Sequence, residues 1–95
     1  MRILEEGRVY AVRNFDSDDY QEIKFTRKRY DGTFADGTTV EEMIRVLRDK
    51  FYHFNRISPS SENEKCIDHC DDILRLCLSR LNRKREDVSR LKENQ

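Results

Sequence analysis

The chain of 95 residues has little glycine and proline, no tryptophan and no long apolar run. Three glycines leave no room for a glycine-rich loop of the kind that surrounds nucleotide phosphates. The apolar segments are far too short for a membrane span or a signal peptide, so we expect neither. The formal net charge is zero, which argues against a partner such as DNA or RNA. Single arginines can still recognise a phosphate locally.

Cysteine is also sparse, and its placement argues against a disulfide framework and against a metal site. The number of cysteines is odd, and Cys66, Cys70 and Cys77 are spaced as on one face of a helix. This pattern favours reduced thiols in the cytoplasm. Cys66 and Cys70, with His69 beside them, suggest a metal cluster, but zinc ligands normally come from two structural elements. All three cysteines fit one apolar stripe, so we predict core packing, no metal and no cofactor. His69 points away from Cys70 on a helix, which leaves no nucleophile–base pair and predicts that the protein is not an enzyme.

The composition indicates one small domain over residues 1–95, because 36% apolar and 40% charged residues supply only a modest core. It has three parts: a β ribbon over 8–34, a helical hairpin over 38–82 and a polar tail over 83–95. The predicted strand residues are Val9, Tyr10, Val12 and Phe15 in one run, Ile23, Phe25 and Arg27 in a second, and Thr33 and Phe34 in a third. Two or three strands alone are marginal, so the ribbon is expected to pack on the helices or on another chain.

The first helix is predicted over about Thr39 to Phe54, because apolar residues recur there at spacings of three and four. Its start is well marked. Thr38 and Thr39 each stand three residues before a glutamate, Glu41 or Glu42, which gives two overlapping capping boxes.

The second helix is predicted from Pro59 to about Leu81. Ser58 would be the N-cap and Pro59 the first helical residue, where its missing N–H costs nothing. Residues 55–57 would turn the chain between the helices. The polar tail lacks an apolar period, so we expect it to fray.

The apolar stripe of the second helix is wider than one partner helix would cover. It comprises Cys66, Ile67, Cys70, Ile73, Leu74, Cys77, Leu78 and Leu81. The surplus suggests packing on the ribbon or on a second subunit. The predicted fold is therefore α+β, with a small N-terminal antiparallel β ribbon followed by an antiparallel two-helix hairpin that assembles as a homo-oligomer. In that assembly Cys66, Cys70, Ile73 and Cys77 would be mostly buried.

Candidate ligand contacts cluster around the helical turn and the arginines. The turn presents Asn55, Ser60, Ser61 and Asn63 beside a helix N-terminus, which favours anions. Arg13, Arg27, Arg29 and Arg80 are candidate phosphate ligands, although an arbitrary arginine is more often a surface residue. His53 and Phe54 offer rings that can stack on a base, with Phe54 in the core and His53 half-exposed as the alternative.

The spacing of several short motifs resembles a known family. The motifs are DGTT-x-EE at 36–42, His53-Phe54-Asn55, Pro59, Glu62-Asn63 and Arg80, preceded by ribbon segments at 7–14 and 25–28. In this combination the chain resembles the phage Thoeris anti-defence proteins of the first type, which are related to the anti-CBASS cyclic-nucleotide sponges of the second type. The resemblance covers residues 7–83.

The resemblance implies a function without catalysis. Proteins of this family bind cyclic ADP-ribose isomers and, at separate pockets in some members, cyclic di- or trinucleotides, and sequester them intact in the host cytoplasm. Members are homodimers, or hexamers built from dimers. Matched onto this sequence, the family's ligand-binding residues fall on Arg27, Thr38, Thr39, His53, Asn63 and Arg80. Arg13 completes the candidate set because it can share the neighbourhood of Arg27 in the ribbon. His53 would stack on a base, Asn63 would hydrogen-bond, and Arg27 and Arg80 would bind phosphates.

A second class of function fits the same residues. A small helical adaptor or inhibitor would use the wide apolar stripe to bind another protein. Cyclic nucleotides should stabilise a sponge against heat and leave an adaptor unchanged.

Overall fold

The computed structural model describes residues 1–93, which form an α+β fold: a three-stranded antiparallel sheet followed by two helices. The elements are β1 (Arg2–Glu5), β2 (Val9–Arg13), β3 (Tyr20–Lys24), β4 (Arg27–Lys28), β5 (Phe34–Ala35), α1 (Val40–Ile57) and α2 (Ser61–Glu93). The coarse fold prediction is therefore confirmed. The chain divides into two compact units, one over Met1–Val40 and one from Glu41 onward, and each is described by itself.

The sheet of the first unit has the order β1-β2-β3, with antiparallel pairs throughout. The central strand β2 contributes Val9 and Ala11, both buried. Strand β1 was not predicted, because Ile3 and Leu4 are adjacent rather than alternating with polar residues. A register shift between Ile3 and Glu5 accommodates them.

The prediction that Phe15 belongs to a strand was wrong. Strand β2 ends at Arg13, and the Phe15 ring is 99% exposed. The chain turns here because the Asn14 N–H donates to the Asp19 carbonyl oxygen at 2.9 Å. Asp16 takes a φ of 52°, which its short polar side chain tolerates.

The third predicted strand corresponds to β5, which begins at Phe34 and pairs with β4 in a hairpin. The prediction that Arg27 continues the second strand was wrong, because β3 ends at Lys24 and Arg27 begins β4. The turn of this hairpin is closed by a 3.1 Å hydrogen bond from the Gly32 N–H to the Arg29 carbonyl oxygen. Gly32 has a φ of 87° there, a conformation that glycine adopts without steric cost. The Arg29 guanidinium donates to the Phe34 carbonyl oxygen at 3.1 Å, so this arginine binds its own hairpin.

The helices of the second unit differ from the predicted bounds. Helix α1 continues to Ile57, so the predicted turn at 55–57 is helical. Helix α2 begins at Ser61, and its N-cap is Ser60, whose Oγ accepts the Asn63 N–H at 3.1 Å. The prediction of a Ser58 cap and a helical Pro59 was wrong. The Asn55 side chain accounts for the shift, because its Oδ1 accepts the Ser60 N–H at 3.0 Å and holds Ser60 in the capping position.

The prediction of a frayed tail was also wrong as far as Glu93, because α2 is continuous to that residue. Residues 82–93 contain no glycine or proline and are rich in arginine, lysine and glutamate, which are good helix formers. The rest of the predicted tail, residues 94–95, lies outside the described residues.

Few side chains are buried in the single chain. Among residues 1–91, the buried ones are Val9, Ala11 and Cys70. Cys66 and Cys77 are half-buried, and Ile73 is exposed. The single chain therefore does not bury these three residues as predicted, and their burial would require contact with another molecule.

Candidate functional site

Arg13 ends strand β2, opposite Tyr20 of β3, and is exposed. It lines a shallow cavity together with Arg2 and Asp18. The Arg2 guanidinium lies 5.9 Å from the centroid of the Tyr20 ring, within the range of a cation–π contact. Two arginines and a ring thus meet here, an arrangement suited to a phosphate with an attached base. Sequence reasoning missed Arg2 because it missed β1.

Arg27 is partly occupied by its own chain. Its Nη2 donates to the Glu6 carbonyl oxygen at 2.6 Å, and its Nη1 lies 3.4 Å from Oε1 of Glu5. These bonds tie β4 to the turn that follows β1. A guanidinium has five N–H donors, so a ligand phosphate would have to share Arg27 with these two contacts.

The DGTT segment serves the fold of the first unit. A Cβ at Gly37 would lie 2.5 Å from the Phe25 carbonyl carbon and 2.6 Å from the Thr26 nitrogen, so only glycine fits. The Thr38 N–H donates to the Lys24 carbonyl oxygen, and the Thr38 carbonyl accepts the Thr26 N–H, both at 2.8 Å. Thr38 is half-buried, and Thr39 is exposed immediately before α1.

Arg8 is a residue that sequence reasoning missed. Its Nη1 donates to Glu5 at 2.8 Å, and its Nη2 donates to the Asp36 carbonyl oxygen at 3.1 Å. Its Nε is buried and has no hydrogen-bond partner among the described residues. Arg8 therefore anchors the DGTT segment rather than facing outward, and its position beside Gly7 gives no sequence signal of that role.

The helical turn uses its polar groups internally. The Asn63 N–H donates to Ser60 Oγ, and its Nδ2 donates to the Ser58 carbonyl oxygen at 3.3 Å. The Oδ1 of Asn55 is bonded to the Ser60 N–H. The first turn of α2 also carries Glu62 and Glu64, and their charges oppose binding of an anion at this helix terminus. The turn therefore suits a base or a ribose better than a phosphate.

His53 is exposed on α1, four residues before the helix ends. Its neighbour Phe54 is 43% exposed, packs edge-on against Phe51 at 6.3 Å, and has Lys50 Nζ 4.9 Å from its ring centroid. Two exposed rings thus lie near the turn end of the hairpin.

Arg80 lies far from Asn63. Both residues are on α2, and 17 positions of helix separate them, which corresponds to about 25 Å. A single copy of the chain does not bring the two side chains to one small ligand. A site that uses both must draw them from different copies.

Charge divides α2 into two ends. Residues 61–73 contain five carboxylates and one lysine, and residues 74–93 contain seven basic and three acidic residues. The basic end includes a segment that sequence reasoning passed over, Arg83-Lys84-Arg85, within two turns of Arg80. Phosphate binding is therefore favoured at the Arg80 end of the helix.

One ion pair joins the two helices. The Nε of Arg48 lies 2.6 Å from Oδ1 of Asp71, and Nη2 lies 3.4 Å from Oδ2. This bidentate contact raises the pKa of Arg48 above its usual value, chiefly through the hydrogen bond to Asp71. The pair places Arg48 of α1 beside Asp71 of α2 in the hairpin.

The Cys70 thiol is not activated. Burial, the largest cause, raises the pKa of the Cys70 thiol above its ordinary value of 9.0, so the thiol is protonated at neutral pH. Among the described residues, no group of three or more His, Cys, Asp or Glu side chains is placed to hold a metal ion. Within residues 1–93, neither helix is long and apolar enough to cross a membrane.

Comparisons of the chain with protein-family models, with curated proteins and with solved structures found no match. The resemblance to the Thoeris anti-defence proteins therefore stays a prediction.

Proposed function

We propose that this protein is a phage anti-defence protein that binds cyclic nucleotide immune signals and sequesters them intact in the host cytoplasm. The ligands are cyclic ADP-ribose isomers, with cyclic di- or trinucleotides as a second class. The protein acts as a homo-oligomer, a dimer or a hexamer, without cofactor or metal. It resembles the Thoeris anti-defence proteins in the spacing of the motifs around Gly37, His53, Asn63 and Arg80.

The observation that carries the proposal is the two-ended arrangement of α2. Asn63 lies at the acidic end, His53 is exposed near the end of α1 that leads into the same turn, and Arg80 lies at the basic end. A cyclic dinucleotide-like ligand needs both environments: a base and ribose that stack and hydrogen-bond, and phosphates that bind arginine. Because the two ends lie about 25 Å apart in one copy, the complete site is formed between copies.

The state of the Cys70 thiol agrees with sequestration rather than turnover. Sequestration needs affinity alone, and the raised pKa of the Cys70 thiol disfavours a thiolate nucleophile. The direct test incubates excess protein with a cyclic ADP-ribose isomer, denatures the protein and analyses the released ligand by chromatography. We expect unchanged ligand, and a converted product would refute the proposal.

A thermal-shift panel tests binding itself. Cyclic ADP-ribose isomers and cyclic oligonucleotides are added singly to the purified protein. We expect at least one to raise the melting temperature, because a ligand that binds only the folded state stabilises it. Linear ADP-ribose is the matched control for ring closure.

The adaptor or inhibitor function remains the alternative, because apolar side chains are exposed outside the main stripe. Val46 of α1 and Leu76 of α2 are 55% and 59% exposed. A protein-binding surface would account for them. A panel in which no cyclic nucleotide shifts the melting temperature would favour this alternative.

A further inference from the structure

The arginines of the first unit divide into two groups. Arg8, Arg27 and Arg29 each donate hydrogen bonds to carbonyl oxygens of their own chain. Arg2 and Arg13, in contrast, have no hydrogen bond and no ion pair with any of residues 1–93. A guanidinium is a rigid fork of five N–H donors that matches the oxygens of a phosphate. The donors of Arg2 and Arg13 are therefore available to a ligand.

The strand register brings Arg2 and Arg13 to one face of the sheet. Arg2 pairs with Ala11, and Arg13 pairs with Tyr20, and directly opposite residues of antiparallel strands share a face. Ala11 and Arg13 share it too, because they lie two residues apart on β2. The Ala11 side chain is small and buried, which lets Arg2 extend across β2. The Arg2 guanidinium thereby comes within 5.9 Å of the Tyr20 ring centroid on β3.

The cavity between these side chains also contains a hydrogen-bond acceptor. Its volume is about 300 Å³, and Asp18 lines it together with Arg13 and Tyr20. Within the described part of the chain no ion pair joins Asp18 to either arginine, so its carboxylate oxygens are available to hydroxyl groups. The volume lies at the lower limit of small-ligand pockets, which suits one nucleotide better than two.

We propose that this cavity binds a nucleoside monophosphate. Arg2 and Arg13 bind the terminal phosphate, whose charge of about −1.5 to −2 at neutral pH matches two guanidinium groups. Tyr20 is 52% exposed even with Arg2 beside it, so ring surface is left for the base to stack on. Asp18 accepts a hydrogen bond from a ribose hydroxyl, as carboxylates do in other nucleotide sites.

This site is separate from the proposed cyclic-nucleotide site. The residues that line it belong to the first unit, whereas Asn63 and Arg80 belong to the second. A cyclic signal links each phosphate through two ester or anhydride bonds, so it offers no terminal phosphate to Arg2 and Arg13. The inference therefore goes beyond the proposed function and does not rest on it.

The first experiment varies the ligand, with the full chain at low salt. Adenosine monophosphate is the probe, and adenosine, ribose phosphate and cyclic adenosine monophosphate each change one part of it. Calorimetry should give the lowest dissociation constant for the probe, with an increase of about tenfold or more when the phosphate is missing. Absence of binding by the probe would overturn the site.

Two further ligand results would also contradict the proposal. A cyclic adenosine monophosphate that binds as tightly as the probe would overturn the terminal phosphate as the recognised group. A tetranucleotide with a terminal phosphate that binds more tightly than the probe would assign the site to the ends of nucleic acids and overturn the mononucleotide.

The second experiment changes the cavity and keeps adenosine monophosphate as the ligand. Arg2→Gln and Arg13→Gln should each weaken binding about tenfold, because each removes one charged donor group. Tyr20→Leu should weaken binding severalfold by removing the stacking surface. Arg90→Gln removes the same guanidinium from α2 and should have no effect. All four side chains are exposed, so we expect the fold to persist, which circular dichroism checks. Equal weakening by Arg13→Gln and Arg90→Gln would indicate general charge attraction and overturn the site.

A third measurement locates the ligand and separates the two sites. Adenosine monophosphate should shift the amide NMR signals of residues 11–13 and 18–20, and Arg80→Ala should bind it as the unchanged protein does. Shifts centred on α2 would overturn the site. A protein that binds the monophosphate in this cavity and binds no cyclic nucleotide supports the site and refutes the proposed function. The reverse result refutes the site and leaves the proposed function standing.

Discussion

Cys70 and Leu91 lie on the same face of α2, yet Cys70 is 7% exposed and Leu91 is 65% exposed. The residues differ in their place along the helix, because α1 runs beside the first and ends before the second is reached. Val88 and Leu91 continue the apolar spacing past Leu81, which the prediction of a tail without an apolar period missed. The spacing therefore reports the capacity to pack and not whether a neighbour is present. The part of α2 beside α1 supports the fold of one chain, and the part beyond α1 leaves Val88 and Leu91 exposed.

The largest effect on stability is expected from a charge introduced into the part of α2 that lies beside α1. Cys70→Asp buries a carboxylate without a partner and should lower the free energy of unfolding by about 3–5 kcal/mol. Ser79→Asp adds the same charge at an exposed position of α2 and should be nearly neutral. Urea denaturation of both variants measures the difference. Similar midpoints would mean that the burial of Cys70 contributes little to the fold.

The next effect concerns ligand binding by Arg80, in the part of α2 that extends past α1. A charge-assisted hydrogen bond contributes roughly 1.5–3 kcal/mol, so Arg80→Ala should weaken ligand binding by about tenfold to a hundredfold. Arg90→Ala removes the same group nearer the end of α2 and should change the affinity little. Calorimetry with a cyclic ADP-ribose isomer tests both. An unchanged affinity in a folded Arg80→Ala variant would place the phosphate site elsewhere.

A smaller effect is expected from the ion pair between Arg48 and Asp71, which joins the two helices. Arg48→Ala and Asp71→Ala should each lower the melting temperature slightly, because both side chains are about half exposed. The melting temperature of the double variant should fall by less than the sum of the two single decreases, and this difference should be smaller in high salt. Fully additive decreases of the melting temperature at low salt would show that the ion pair does not contribute to stability.

The smallest effect is a dependence on alkaline pH. Burial raises the pKa of the folded Cys70 thiol above 9.0, so the unfolded chain loses this proton first. The contribution of Cys70 to stability is therefore complete below about pH 9 and declines as the pH rises through the shifted value. Cys70→Ala should remove this part of the decline, as measured by denaturation at pH 8 and pH 10. Parallel declines in both proteins would contradict it.

The sequence predicted the elements that depend on local periodicity, and it was less accurate where one side chain decided the outcome. Helices α1 and α2 follow from their apolar spacing. The cap moved from Ser58 to Ser60 because Asn55, near the end of α1, accepts the Ser60 N–H, a side-chain contact that the capping pattern does not encode. Strand β1 was missed because Ile3 and Leu4 do not alternate with polar residues and are ordered by pairing with β2.

The candidate site was less predictable than the fold. Spacing along the sequence suggested that Asn63 and Arg80 act together, but a helix of fixed rise holds them about 25 Å apart. The turn residues looked free in the sequence and are bonded to one another in the structure. Arg13 was named without Arg2, which reaches the same cavity only through β1.

Gly37 bears on how relatives of this chain should be sought. Because its position admits no Cβ, and because Arg8 and the Thr38 backbone hold the same segment, the DGTT signature is a requirement of architecture. A search keyed to it should recover proteins that share this fold whatever they bind. Under the proposed function, ligand classes among them would separate at Arg80 and His53, so these two positions are the ones to compare among relatives.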